Sequence, residues 1–342
     1  MKKFNGFERG INLGGWLSQC DYTKETYENY VKADDLKQIA AWGLDHVRVP
    51  VDYNLIEDEA GNDIEEGYGY IDRVVGWCRD NGLNMLLDLH KTYGYSFDFG
   101  EDEEGFFDNA DYQERFYKLW EKLASRYGKY NDMIAFELLN EITDREYMEK
   151  WNRITNTCIE RIRAIAPTTY ILTSGYYNSS IESLPALDPP HDEYIVYTFH
   201  CYEPLIFTHQ GAYWAPGMST DFRMSIDEPY RVMKENSKKY LSQVTVGFAD
   251  FDPEERFGVP YFDKFFSEAV KIAEERNVAL YCGEYGVIDR ADPQEILKWY
   301  KIINSAFEKY GIARCAWNYR GKDFGFVDDY MKPVIGEIVK YL

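Results

Sequence analysis

Eight short runs of apolar, β-branched and aromatic residues recur along the chain, with segments of helical spacing between them. The runs are INLGGW (11–16), HVRVPV (46–51), NMLLDLH (84–90), IAFELLNE (134–141), TYILTSG (169–175), YIVYTFHCY (194–202), ALYCGEYG (279–286) and ARCAWNY (313–319). They lack strict apolar/polar alternation, the pattern of parallel strands covered on both faces. Between them, Tyr112, Phe116, Leu119, Trp120, Leu123 and Tyr127 share one helical face ahead of Gly128. Ile296, Trp299, Tyr300, Ile303, Phe307 and Tyr310 do the same ahead of Gly311, and Asp292, Pro293 and Glu295 supply a capping start signal. Strand then helix, repeated eight times in 342 residues, predicts an α/β fold, a single (β/α)8 TIM barrel. A doubly wound sheet shares the alternation but usually has fewer strands.

No Pro/Gly/Ser-rich linker or composition shift divides the chain, so one domain over residues 1–342 is expected. The stretch from about 203 to 257, after the sixth strand, is too long for an ordinary connection and reads as an insertion on the active-site side. Phe207, Tyr213 and Trp214 are candidates for aromatic surface there. A net charge of −21 disfavours nucleic acid and anionic membranes as partners. No apolar run is long enough for a membrane span or an export signal, so a cytoplasmic monomer is expected as the chain stands, although one trimmed from a secreted precursor would read the same. The six cysteines sit singly in apolar segments and read as reduced core thiols.

A barrel brings its strand ends to one rim. Arg48 lies in the second run, His90 closes the third, Asn140 and Glu141 the fourth, His200 and Tyr202 the sixth, Glu284 the seventh, and Trp317 lies near the end of the eighth. Two glutamates facing each other across a barrel mouth suit glycosidic cleavage. With about 5 to 5.5 Å between the carboxyls one becomes a nucleophile, and with roughly 6.5 to 9.5 Å a water fits between them.

INLGGW, HVRVP, LLNE, HCY, GEYG and AWNY together resemble glycoside hydrolase family 5, the cellulase family, in the family's order and across nearly all of the chain. The chain is especially similar to the clostridial cellulase C type of endoglucanase, while GINLGGW and DLH also resemble the family's exo-β-1,3-glucanases. The resemblance implies a retaining hydrolase of β-glucan oligosaccharide or soluble polysaccharide, working without cofactor or metal. It makes Glu141 the acid/base and Glu284 the nucleophile. Arg48 and Tyr202 would favour ionised Glu284, and the charge on Glu284 with partial desolvation would raise the pKa of Glu141. Asn140 would meet the sugar 2-hydroxyl, His200 would orient Glu141, His90 would hold a hydroxyl, and Trp317 would be a sugar platform.

Other residues take plainer readings. Glu137 shares strand parity with Glu141 and is expected lower in the barrel, in a buried ion pair with Arg48. Cys282, Trp16, Trp42, Trp77, Trp151, His46 and His191 read as packing or structural groups, and His209 stays open between sugar contact and none. The five histidines show no metal-binding spacing, and Gly14 with Gly15 is no phosphate loop. An exo-β-1,3-glucanase, a β-glucosidase-like or a mannan-active enzyme, and a sugar-binding protein without catalysis, remain the alternatives.

Overall fold

The computed structural model describes residues 1–98, 101, 104–241 and 247–342. The apolar runs become β1 (Arg9–Asn12), β2 (His46–Asp52), β3 (Asn84–Lys91), β4 (Ile134–Glu137), β5 (Ile171–Thr173), β6 (Ile195–His200), β7 (Ala279–Tyr285) and β8 (Ala313–Ala316). Each strand pairs in parallel with its neighbours in sequence, and β1 pairs with β8 through Gly10↔Cys315, so the sheet closes into a barrel. Closure excludes the doubly wound alternative, whose sheet has two open edges.

Around the barrel lie α1 (Ala33–Ala41), α2 (Glu65–Asn81), α3 (Ala110–Tyr127), α4 (Met148–Arg163), α5 (Tyr230–Tyr240), α6 (Val259–Glu275) and α7 (Pro293–Tyr310). In α7 the Asp292 side chain accepts from the Gln294 amide, and Gly311 ends the helix in the left-handed region. Glu295 does not complete a capping box; its carboxylate binds the Ser225 hydroxyl and the Ile226 amide of the insertion. Gly128 has φ −61° and leads straight into a 3-10 turn. The strand–helix repeat is imperfect at two places. After β5 the chain makes only a short turn and a 3-10 segment, Ile181–Ala186, and after β8 only a 3-10 turn, Asp329–Met331, and the single-turn helix Ile335–Ile338. The former stretch holds Pro185, Pro189 and Pro190, each lacking the N–H that a helix interior needs.

Two apolar layers hold the barrel. Outside it, Trp120, Trp151, Trp299, Phe136 and Phe266 fill the space between sheet and helices. Inside, Phe4 and Phe7 stack at 4.4 Å and plug the floor against Leu86, Ala135, Leu172, Val196 and Tyr281. Burying each such ring contributes about 1.5–3 kcal/mol. Five cysteines are buried as expected; Cys20, in the loop after β1, is only half-buried. Trp16 is fully buried and stacks on Trp77, and His46 bridges Asp45 and the Tyr281 hydroxyl. Among the described residues no helix is long and apolar enough to cross a membrane.

The insertion is partly regular, because it carries Leu205–Thr208 and α5, and Pro229 pairs with Arg256. Phe207, expected as aromatic surface, is instead fully buried, whereas Tyr213 and Trp214 are exposed.

Candidate active site

Arg48 organises the upper barrel. Pointing inward from β2 and fully buried, it donates from Nε to Glu137 at 2.7 Å, from Nη1 to Glu284 at 2.8 Å and Asn12 at 2.9 Å, and from Nη2 to Asn140 at 2.6 Å. Asp88 completes the shell, 3.1 Å from Nη2. One guanidinium thus faces three carboxylates, Glu137, Asp88 and Glu284. Burial pushes Asp88 up to about 7 against the pull of Arg48, and it raises Glu137 as well. The Arg48–Glu137 pair expected from strand parity is present.

Glu284 reaches the interior through a break in strand parity. Ala279 and Tyr281 face inward while Leu280 and Cys282 pack against the helices, so strict alternation would send Glu284 outward. The register between β6 and β7 shifts after Phe199↔Cys282, and His200 pairs with Glu284. Gly283 sits at the shift. A Cβ there would lie 3.0 Å from Thr198 Oγ1 and 3.2 Å from His200 Nε2, so the bulge needs its small residue.

Tyr202 donates its hydroxyl to Glu284 Oε2 at 2.9 Å. Burial raises the pKa of Glu284, and His200, Arg48 and the Tyr202 hydrogen bond pull it back. Glu141, just past β4, is pushed up to about 7, chiefly by burial and not by the charge on Glu284; the Asn178 hydrogen bond opposes the rise. His200 Nδ1 lies 2.7 Å from Glu141 Oε1 and 3.6 Å from Glu284 Oε2, and burial holds this imidazole below its usual pKa. One ligand atom each of Glu141, His200 and Glu284 lie within 4.8 Å of one another. Those three are the groups among the described residues with spacing for a cation, and they coincide with the expected acid–base pair.

The remaining expected residues line the same mouth. Asn140 is buried; its Oδ1 is held by Arg48, and its Nδ2 has no partner among the described residues. His90 Nδ1 lies 2.5 Å from Asp88, and its ring lies parallel to Trp317 with centroids 6.1 Å apart. Gly14 makes room for that indole, since a Cβ would sit 2.3 Å from Trp317 Cη2. His209 contacts Tyr202 edge-on, with centroids 5.2 Å apart.

Sequence reasoning missed Asn178 and Asp88. Asn178 donates from Nδ2 to Glu141 Oε2 at 2.7 Å. Its backbone is left-handed, as are those of Tyr177 and Ser179, with φ of 54°, 51° and 57° in that order. Amides of Tyr177 and Asn178 bond the Thr143 and Ile142 carbonyls, and the Ser179 hydroxyl bonds that of Asn140, which pins this turn to the segment past β4 that carries Glu141. Nothing in YYNSS signals that contact. Asp88, two residues before His90 on β3, was detectable from strand parity alone.

The cellulase family profile, glycosyl hydrolase family 5, matches residues 7–323. Cellodextrinase A of Ruminococcus flavefaciens is 50% identical over 92% of this chain and 86% of its own length. Endoglucanase C of Acetivibrio thermocellus is 36% identical over 98% of each. A solved hyperthermophilic endo-β-1,4-glucanase, at 22% identity, superposes with a TM-score of 0.77 over 98% of this chain and 97% of its own, which supports the barrel. With an alignment that spans nearly the whole chain, the protein belongs to glycosyl hydrolase family 5, the cellulases, and is a glycoside hydrolase.

Proposed function

We propose that this hydrolase cleaves soluble β-glucans and short β-linked gluco-oligosaccharides with retention of configuration. The observation that carries the mechanism is the spacing of Glu141 and Glu284, one oxygen of each within 4.8 Å of the other. Facing oxygens at that spacing suit direct attack by a carboxylate, the arrangement of a retaining enzyme. The name of the half-identical relative, a cellodextrinase, supports short soluble substrates.

In the first step Glu284 attacks the anomeric carbon, and the bond to the leaving oxygen breaks as Glu141 delivers its proton to that oxygen. A pKa of about 7 keeps Glu141 protonated in a useful fraction of molecules near neutrality. Arg48 and Tyr202 hold the nucleophile's two oxygens and favour its charged form. Asn140 Nδ2, without a partner among the described residues, is the donor for the sugar 2-hydroxyl, a contact that strengthens as positive charge grows on the ring. In the second step the charge on Glu284 is gone, Glu141 takes a proton from water, and the hydroxide so formed displaces Glu284. His200 steadies Glu141 throughout, while Trp317 and His90 form the wall against which the ring rests.

The test is a panel of β-1,4-, β-1,3-, mixed-linkage and mannan oligosaccharides with wild type and Glu284→Gln. Cleavage of β-glucans by wild type, lost in the variant, is expected, and product sizes separate endo from exo action. Silence on every β-glucan would overturn the proposal.

A further inference from the structure

Buried polar atoms in folded proteins nearly always find a hydrogen-bond partner, so a group of them without one marks a place where something else binds. Glu137 Oε1, Thr198 Oγ1 and His200 Nε2 are buried and have no partner among the described residues. Glu137 comes from β4, and Thr198 and His200, two apart on β6, share one face of that strand. Both β6 atoms border the space beside Gly283, where a Cβ would lie 3.0 Å from Thr198 Oγ1 and 3.2 Å from His200 Nε2. Glu137 is close enough to His200 for the charge of each to act on the other. The two-step reaction uses neither Glu137 nor Thr198.

A cation does not suit this place, because the Arg48 guanidinium already supplies positive charge 2.7 Å from Glu137 Oε2. A water molecule does suit it, since it offers two protons and accepts a third, and buried waters make about three hydrogen bonds to such groups. Burial keeps the His200 imidazole neutral near neutral pH, so the ring carries one proton. Nδ1 faces Glu141 Oε1 at 2.7 Å and Glu284 Oε2 at 3.6 Å, two acceptors that draw the proton to Nδ1 and leave Nε2 bare. The hydrogen-bond count then closes. The water donates to Glu137 Oε1 and His200 Nε2 and accepts from the Thr198 hydroxyl.

We propose that Glu137, Thr198 and His200 bind one buried water molecule beside Gly283, that this water holds His200 in its Nδ1-protonated form, and that Thr198 is thereby a positioning residue for Glu141. The catalytic part rests on the acid/base role of Glu141 given above. With Nδ1 kept as a donor, His200 favours the carboxylate form of Glu141. The other charged or titratable groups facing His200 and Glu141 are Arg48 from β2, Asp98 from the loop after β3, Glu284 from β7 and Tyr202 just past β6, and all of them are retained when Thr198 is replaced.

The test compares wild type with Thr198→Val, which removes the hydroxyl and keeps the branched shape, and with Thr198→Ser, which keeps the hydroxyl. High-resolution crystal structures are expected to show a water within hydrogen-bond distance of all three atoms in wild type and Thr198→Ser, and to lack it in Thr198→Val. No water in wild type, or the same water undisturbed in Thr198→Val, overturns the proposal. Long-range 15N–1H spectra of histidine-labelled wild type should give His200 as the Nδ1–H tautomer, and an Nε2–H tautomer overturns it. The basic limb of kcat/KM on an aryl β-cellobioside should move up by about half a pH unit in Thr198→Val and return in Thr198→Ser. A limb that stays in place in a folded Thr198→Val overturns the positioning role. The first two measurements need no turnover and wild type alone can fail them, so they separate failure of the water site from failure of the glucanase reading.

Discussion

Replacing Asn178 with glycine should make the enzyme more active at alkaline pH relative to its own optimum. Glycine is chosen because the backbone there has φ 54° and ψ 54°, a region glycine enters without the cost alanine would meet. The side chain donates to Glu141 Oε2 at 2.7 Å and so favours the ionised carboxylate. A hydrogen bond to a charged group contributes about 1.5–3 kcal/mol. Asn178 is exposed, so water replaces part of that bond in the variant, leaving roughly 1 kcal/mol. At about 1.36 kcal/mol per pKa unit this raises Glu141 by roughly 0.7 unit. Glu141 must be protonated to act as the acid, so activity falls as pH rises through its pKa, and a higher pKa carries that fall to higher pH. The assay is kcat/KM against pH on an aryl β-cellobioside, which reports the free enzyme. The acidic limb, set by Glu284, should stay in place. A basic limb that stays put or moves down, in a variant with wild-type Tm, would refute the reasoning.

Other expectations follow from single contacts. Tyr202→Phe removes the hydrogen bond to Glu284 Oε2, so the pKa of Glu284 rises, the acidic limb of kcat/KM moves to higher pH, and kcat falls. Glu137→Gln leaves Arg48 with Asp88 and Glu284 but removes a fully buried charge partner at 2.7 Å. It should cost about 1–3 kcal/mol in denaturant unfolding, and full activity with unchanged stability would count against the ion pair. Phe4→Ala opens the barrel floor beneath Phe7 and Tyr281 and should cost about 3–5 kcal/mol, with kcat on the folded enzyme little changed because the floor lies at the far end of the barrel from Glu141.

The barrel was legible because parallel strands buried on both faces leave continuous apolar runs; seven of the eight predicted runs contain one observed strand or most of it, and the first shares only Ile11 and Asn12 with β1. The missing helix after β5 was written in its prolines, though the regular repeat hides it. Residues at strand ends, His90, Glu141, His200, Tyr202 and Glu284, could be gathered to one mouth because strand ends of a barrel share a rim, with Arg48 inside the second strand below them. What alternation could not supply was the inward turn of Glu284, which depends on a register shift at Gly283 between β6 and β7. Asn178 was invisible for a related reason. Its contact arises from three successive left-handed residues, a backbone path no local propensity encodes. The placement of Phe207 in the core and Trp214 at the surface likewise depends on how the insertion folds back on the barrel, since both lie in the same apolar-rich stretch.

The central claim is that Glu284 forms a covalent bond with the sugar. The direct measurement is to incubate wild type and Glu284→Gln with an activated 2-deoxy-2-fluoro-β-cellobioside, whose slowed second step lets the intermediate accumulate, then weigh the intact protein and its peptides. One glycosyl adduct on the peptide carrying Glu284, absent from the variant, is the predicted result. An adduct on another residue, or none while the enzyme releases the α-anomer as first product, would contradict the account.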